Sequence, residues 1–311
     1  MKLLITGSNG MVGRALSEKL ATNKNITLLL PKRQELDLLN FSQVDTYIKK
    51  NKPDFVIHCA ALVGGIAANI KRPLEFLLEN SEINFNVIKA SFQNNIHYFL
   101  NMGSSCMYPK DREELREDDI MTGKLEPTNE GYALAKISAS FLCDYVHKQL
   151  GFEYKTIIPG NLYGPYDNFN LDSSHLIPAI IAKTHDAIQN QKKEIEIWGD
   201  GKARREFMYV MDLVAFIILA IEKITELPAR TNVGIGCDYS INDYYETVAK
   251  IMGYSGDFTH NLEKPVGMMK KLLNIDSATR LGWSAKTSLE SGIAQTVNYF
   301  LALNKVKDPI T

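Results

Sequence analysis

Tyr132 and Lys136 lie one helical turn apart, which puts a phenol and an ammonium on the same helix face. With fourteen tyrosines in the chain, a Y-x-x-x-K match alone carries little information, and its surroundings carry more. Thr128 or Asn129 is placed to cap the helix. The apolar run before it ends in Gly103-Ser104-Ser105-Cys106. An ammonium beside a phenol stabilises tyrosinate and lowers the phenol toward working pH, while a serine hydroxyl hydrogen-bonds a substrate oxygen. Such groups suit acid–base work on a carbonyl.

A second constellation opens the chain. Gly7-Ser8-Asn9-Gly10-Met11-Val12-Gly13 follows an apolar run and leads into a helical pattern. Glycines at this spacing allow a tight turn, close approach to a pyrophosphate, and close helix–sheet packing. The helix N-terminus then offers N–H groups and a positive dipole end to phosphates. Dinucleotide binding is the expectation. Where an NAD site carries an acid for the ribose 2′-hydroxyl, this chain has Pro31-Lys32-Arg33. Arg33 can grip a 2′-phosphate with two hydrogen bonds and stack on adenine, and Lys32 adds charge. A solvated basic turn is the ordinary alternative. The expected cofactor is NADPH/NADP, with Asp37 and Leu38 near the adenine and Ala60 and Ala61 passing over the phosphates.

The elements that must hold these groups show in the hydrophobic pattern. Short apolar runs at Leu3–Thr6, Ile26–Leu30, Phe55–Cys59, Tyr98–Met102 and Tyr154–Ile158 predict strands. Helical periods at Met11–Leu20, Ser42–Lys50, Pro73–Gln93 and Glu130–Leu150 separate them. The strands are apolar throughout, as parallel strands covered on both faces must be. The expected fold is α/β: a Rossmann-type doubly wound parallel sheet, with ligands beyond the carboxyl ends of its strands. After Gly160 the pattern loosens. A helix near His175–Gln189 and a strand at Ile195–Trp198 precede a strand at Thr231–Gly234 that rejoins the sheet, and from Ile241 onward helices alternate with short connections. Residues 1–160 plus about 209–238 are expected to form the NADP(H)-binding domain. Residues 161–208 plus 239–311 are expected to form a smaller discontinuous α/β lobe for substrate.

Composition narrows the partners. Thirty-five basic and thirty-six acidic residues give a net charge of −1, which argues against nucleic acid or an anionic membrane as the main partner. Cys59, Cys106, Cys143 and Cys237 form no C-x-x-C pair, so neither a disulfide scaffold nor a metal site is expected. The longest apolar stretch, Leu213 to Ile221, is too short to cross a bilayer, and the glycine turn comes too early for a signal peptide. A cytoplasmic enzyme is expected.

The chain resembles the extended short-chain dehydrogenases/reductases, and among them the GDP-L-fucose synthase family. The resemblance runs nearly end to end. It rests on Val63-Gly64-Gly65-Ile66, Gly103-Ser104-Ser105-Cys106-Met107-Tyr108-Pro109-Lys110, Leu125-Glu126-Pro127-Thr128-Asn129-Glu130, Asn161-Leu162-Tyr163-Gly164-Pro165, Ser174-His175-Leu176-Ile177-Pro178 and Arg205-Glu206-Phe207. The Ser-Ser-Cys-x-Tyr-Pro run sets it apart from related dehydratases, which carry acidic residues there, and from 4-epimerases, which lack the cysteine. The resemblance implies a GDP-linked 4-keto-6-deoxy sugar as substrate, epimerised at C3 and C5 and reduced at C4. It implies Ser104, Tyr132 and Lys136 as a reductase triad, with Cys106 and His175 as base and acid of the epimerisation. It also implies Arg205 and Lys183 on the diphosphate, Trp198 in the nucleotide pocket, Asn161 near nicotinamide or substrate, and a homodimer through the Pro73–Gln93 and Tyr132–Leu150 helices. Strand-end packing is the ordinary reading of Trp198.

Three positions depart from the family pattern. Leu62 stands where lysine is usual, Gly131 where proline is common, and Gly160 where threonine is found. Gly160 is expected to enlarge the sugar pocket, which would suit a heptose. The competing readings are a C4 reductase only, without epimerisation, acting on a GDP-4-keto-6-deoxyheptose in surface-polysaccharide synthesis, and a catalytically silent cofactor-sensing protein.

Overall fold

The computed structural model describes residues 1–171, 173–264 and 268–307, apart from the side chains of 306 and 307. Six strands form one parallel sheet: β1 (Lys2–Thr6), β2 (Thr27–Leu29), β3 (Phe55–His58), β4 (Tyr98–Met102), β5 (Glu153–Pro159) and β6 (Arg230–Val233). Their spatial order is β2-β1-β3-β4-β5-β6. The sheet therefore grows one way from β1 to β2 and the other way from β1 to β3. That reversal is the switch point at which a doubly wound sheet leaves a crevice beyond its strand ends.

Side-chain alternation explains why both faces are covered. Leu3, Ile5, Phe55, Ile57, Leu100, Met102 and Ile157 point into one core with α1 (Met11–Leu20). Leu4, Val56, Phe99 and Tyr154 point into the other, against α2 (Phe41–Asn51), α3 (Pro73–Gln93) and α4 (Glu130–Leu150). β1, β3 and β4 are covered on both faces, so their sequences read as largely apolar runs, whereas the edge strands β2 and β6 are less buried or more polar. Helix α5 (Leu176–Gln189) lies beyond the sheet, and α6 (Val210–Glu222) holds the longest apolar stretch and closes the first core beside α1.

A separate core collects Tyr163, Ile177, Ile180, Ile181, Ile195, Ile197, Phe207 and Tyr209 with Tyr244, Tyr245 and Val248 of α7 (Ile241–Met252) and Ile293 and Val297 of α8 (Leu289–Lys307). Its strands pair in small units: Asn161–Tyr163 with Phe207–Tyr209, and Glu194–Trp198 with Asp257–Asn261. One stretch departs from the expected division. Residues 272–285 were assigned to the second lobe, yet Leu272–Leu273 pairs with Glu114–Leu115. Ala278 and Trp283 enter the first core, Trp283 edge-on to Phe216 at 5.3 Å. An aromatic of that size is best buried where an apolar surface already exists, and α6 supplies it. Residues 308–311 of the expected lobe lie outside the described residues.

Candidate active site

The glycine turn joins β1 to α1 at the switch point. Gly7 has φ +70°, and a Cβ on it would meet the Ala60 nitrogen at 2.7 Å. On Gly13 a Cβ would lie 2.3 Å from the Gly7 carbonyl oxygen. These two glycines are therefore fixed by packing within the protein. Gly10 differs: its nearest neighbour would be 3.4 Å away, and it is exposed. Gly10 is also the N-cap of α1, and no side chain caps that helix. The turn thus presents open backbone and free N–H groups at a positive helix end, as a pyrophosphate requires. Ser8 is nearly buried, Asn9 is exposed, and Met11 and Val12 are half-buried on the first turn. Ala60 and Ala61 follow β3 directly against Gly7.

Lys32 and Arg33 follow β2, both exposed, and neither side chain forms a hydrogen bond or ion pair among the described residues. Asp37 is committed locally, its carboxylate accepting from Leu39 N at 3.1 Å, and the Leu38 carbonyl accepts from Asn86 Nδ2 at 2.9 Å. This loop is held from beneath while its two cations stay unengaged.

Tyr132 and Lys136 sit in the first two turns of α4, next to the turn Ser105–Met107 that follows β4. Lys136 is 2% exposed and donates to the Met102 carbonyl at 2.8 Å. Burial pulls its ammonium down to about 8, with Cys59 opposing. Tyr132 packs edge-on to Phe76, and Ser104 lies near its phenol. Burial and the neighbouring Cys106 raise its phenol above the ordinary range, while the Ser104 contact pulls the other way. The expectation that Lys136 lowers the phenol is not met. The ammonium is turned to a backbone carbonyl, 5.9 Å from the ring centre, and desolvation of the phenol dominates. A neutral phenol is the form that can donate a proton.

Beneath this pair runs a buried polar chain that the sequence did not reveal. Asn84 of α3 donates from Nδ2 to the Ala135 carbonyl of α4 at 3.3 Å, so its Oδ1 accepts from His58 Nε2 at 3.0 Å. His58 Nδ1 then accepts from Thr6 Oγ1 at 2.7 Å, and Ala60 N reaches that same oxygen at 3.4 Å. This pattern requires a neutral imidazole protonated at Nε2. Burial, with Lys136 close by, accordingly pushes His58 down to about 3. The chain ties α4 to the ends of β1, which leads into the glycine turn, and of β3.

Cys106 is half-buried beside Ser104, whose Oγ accepts from the Cys106 backbone nitrogen at 3.2 Å. Its sulfur accepts from Asn129 Nδ2 at 3.1 Å. His175 is the N-cap residue of α5, and its ring makes no capping bond. His175 is exposed, and desolvation lowers its imidazole below the ordinary value. A series of contacts links the segments that carry the two residues. A Cβ on Gly65 would sit 3.5 Å from the Ser174 carbonyl, the helix Ile66–Lys71 follows Gly65, and that helix packs on the turn Pro127–Asn129. Asn69 pins the glycine loop by donating to the Gly64 and Gly65 carbonyls at 2.9 and 3.1 Å.

The residues expected on the substrate side are Asn161, Lys183, Trp198 and Arg205. Trp198 ends the strand Glu194–Trp198 and is 50% exposed. The Lys183 ammonium stands 5.8 Å from its ring centre and that of Lys264 5.4 Å. Lys264 escaped the sequence reading because only the pairing of Asp257–Asn261 with Glu194–Trp198 brings it there. Burial lowers Lys183, with Glu196 opposing, and lowers Arg205, with Glu126 opposing. Arg205 therefore lies within electrostatic reach of the turn that leads into the catalytic helix. Arg204, by contrast, is paired with Asp238 at 2.6 Å. Asn161 donates from Nδ2 to the Glu206 carbonyl at 3.0 Å.

The expected enlargement at Gly160 is also corrected. A Cβ there would contact the Glu206 carboxylate at 3.5 Å and Leu273 at 3.6 Å. Glu206 is 2% exposed and accepts from the backbone nitrogens of Ile235, Gly236 and Leu273. The missing side chain faces this carboxylate clamp. At Gly131 a Cβ would lie 2.7 Å from the Pro73 carbonyl, so α3 and α4 start too close together for any side chain. Leu62 is held by Asn80, which accepts from its nitrogen at 2.8 Å and donates to its carbonyl at 3.1 Å.

Residues 3–236 match the model of the NAD dependent epimerase/dehydratase family. The chain is 51% identical to a GDP-L-colitose synthase of Yersinia pseudotuberculosis, covering 97% of this chain and 98% of that protein. It is 46% identical to a GDP-L-fucose synthase of Azorhizobium caulinodans, covering 98% of each. Among solved structures it is similar to a GDP-mannoheptose C4 reductase from Campylobacter jejuni with NADP bound. That match has a TM-score of 0.88 at 32% identity, covering 96% of this chain and 98% of that one.

Proposed function

Because the chain belongs to the NAD dependent epimerase/dehydratase family, we propose that it reduces C4 of a GDP-linked 4-keto-6-deoxy sugar with NADPH, after epimerising the sugar beside the ketone. The observation that carries the reading is the grouping of Ser104, Tyr132 and Lys136 at the end of β4, next to Cys106. Three relatives whose names share GDP as carrier, in sugars that differ, support the substrate class.

The cofactor's place is the glycine turn, with Lys32 and Arg33 available to a 2′-phosphate; bound there, NADPH supplies the hydride that C4 accepts. Ser104 holds the ketone oxygen. Tyr132 donates its phenolic proton to that oxygen as the alkoxide forms, and Lys136 offsets the charge left on the tyrosine. For epimerisation, Cys106 takes a proton from the carbon beside the ketone, and the electron pair moves onto the oxygen as an enolate. His175 returns a proton to that carbon from the other face, and solvent resets both groups. Arg205, Lys183 and Lys264 hold the diphosphate and nucleotide, and Trp198 offers a flat apolar face. We assign cofactor to residues 1–160 plus 209–238 and sugar nucleotide to 161–208 plus 239–311, with 272–285 bridging them. The four free thiols and the need for NADPH support a cytoplasmic setting.

Tyr132→Phe should retain NADPH binding and lose reduction by about 10²–10⁴-fold, read as NADPH oxidation with GDP-4-keto-6-deoxymannose. A variant as active as the parent overturns the assignment. A second reading, reduction of a heptose without epimerisation, is supported by the heptose reductase likeness. Solvent deuterium entering C3 or C5 without reductant separates the two.

A further inference from the structure

Asn129 occupies the N-cap position of α4 and does not cap it. An asparagine at a helix start ordinarily accepts from a first-turn N–H, satisfying a donor that has no partner within the helix. Here the side chain turns away and donates from Nδ2 to Cys106 Sγ at 3.1 Å. Its Oδ1 is buried with no hydrogen-bond partner among the described residues. The turn does not need that side chain, since Asn129 N closes on the Glu126 carbonyl at 3.2 Å through backbone alone. A forgone cap and an unpaired buried carbonyl both oppose folding. The one bond the amide makes goes to a sulfur.

The sulfur's position matters because of what surrounds it. The turn bearing Asn129 packs against the helix Ile66–Lys71, and the glycine loop before that helix touches the segment that ends in His175. Asn129 thus ties the thiol to a turn whose neighbours lead to the segment that ends in His175.

We propose that Asn129 is a positioning residue for proton exchange, its amide holding Cys106 Sγ in place as the base. The inference rests on the epimerisation reading above. The C–H bond beside the ketone breaks, its proton goes to Sγ, its electron pair goes to the ketone oxygen, and the amide N–H leaves the sulfur's basic electron pair directed at that carbon.

The test compares the parent with Asn129→Asp, which keeps the shape but has no N–H, and Asn129→Ala. Each is incubated with GDP-4-keto-6-deoxymannose in heavy water without NADPH, and deuterium at C3 and C5 is followed by mass spectrometry. Alkylation of Cys106 by iodoacetamide at pH 7, read on its own peptide, needs no sugar, and NADPH affinity reports folding. Both variants should bind NADPH, while exchange and alkylation slow about tenfold or more, the effect of losing a hydrogen bond to a charged group. Should one variant fail to bind NADPH, the other decides. Exchange at the parental rate in a folded variant overturns the role of Asn129. Absence of exchange in the parent overturns the epimerisation reading itself, and a catalytic role for Asn129 with it.

Discussion

Lys136 has the Met102 carbonyl as its hydrogen-bond acceptor among the described residues, and burial brings its ammonium down to about 8. The depressed value means the charged form is present below about pH 8 and is lost above it. Reduction that depends on this charge should therefore decline on the alkaline side. We expect kcat/KM for reduction to fall above about pH 8, measured from NADPH oxidation over pH 6 to 10. A profile flat to pH 10 would show that the ammonium is not required. At this scale the sequence was informative where spacing alone sets geometry. Tyr132 and Lys136 share a face because they are four residues apart on a helix. It was uninformative where two partners compete for one side chain. Asn129 reads as a cap because caps are local, and its turn toward Cys106 depends on a segment twenty-three residues away. The raised phenol of Tyr132 has the same origin, since desolvation is a property of the surroundings and not of the residue.

At the scale of elements, strands and helices of the sheet domain were legible almost to the residue. Met11–Leu20, Pro73–Gln93 and Glu130–Leu150 are helical throughout, with punctuation such as Pro73 at one helix start and Gly151 just past another's end marking their bounds. Of the short pieces Ile195–Trp198 was legible as a strand, while its partner and the other short pairings were not. Arg204–Arg205 pairs with Tyr239–Ser240, and Asp257–Asn261 with Glu194–Trp198, and such two- to five-residue strands exist only through partners distant in sequence. Gly160 lies on this scale too. Its missing Cβ faces the Glu206 clamp that joins β6 to the 272–273 strand. Gly160→Thr should overfill that site and cost about 1–3 kcal/mol, with little change in the preference between hexose and heptose ketones. Thermal unfolding and competition between the two sugars check this, and a switched preference with unchanged stability would restore the pocket reading.

For the whole molecule, two facts stand apart from the single chain's chemistry. Among the described residues no helix is long and apolar enough to cross a membrane. Helices α3 and α4 nevertheless expose Leu74 (63%), Leu78 (50%), Phe85, Leu134 and Tyr145 (60%). These helices pack side by side on the sheet, so one face of each is covered and the other is left apolar toward solvent. A contiguous face of this kind marks an association surface. We propose a twofold dimer in which the pair meets its copy as four helices. Light scattering should report a dimer for the parent and a monomer for Leu78→Glu combined with Tyr145→Glu. A monomeric parent would remove the proposal. The apolar residues themselves are plain in the sequence. Which of them the sheet buries and which it leaves outside is not, because a helix's own period cannot say which neighbour covers each side.

The sequence by itself determined the doubly wound sheet, the glycine turn and the tyrosine–lysine pair, since each depends on spacing within one strand, turn or helix. Tertiary structure decided the neutral His58 that braces the catalytic helix, the second lysine at Trp198, the clamp behind Gly160 and the amide that grips Cys106. Those are contacts between segments, and their energies come from burial and competing partners that exist only once the chain has closed on itself.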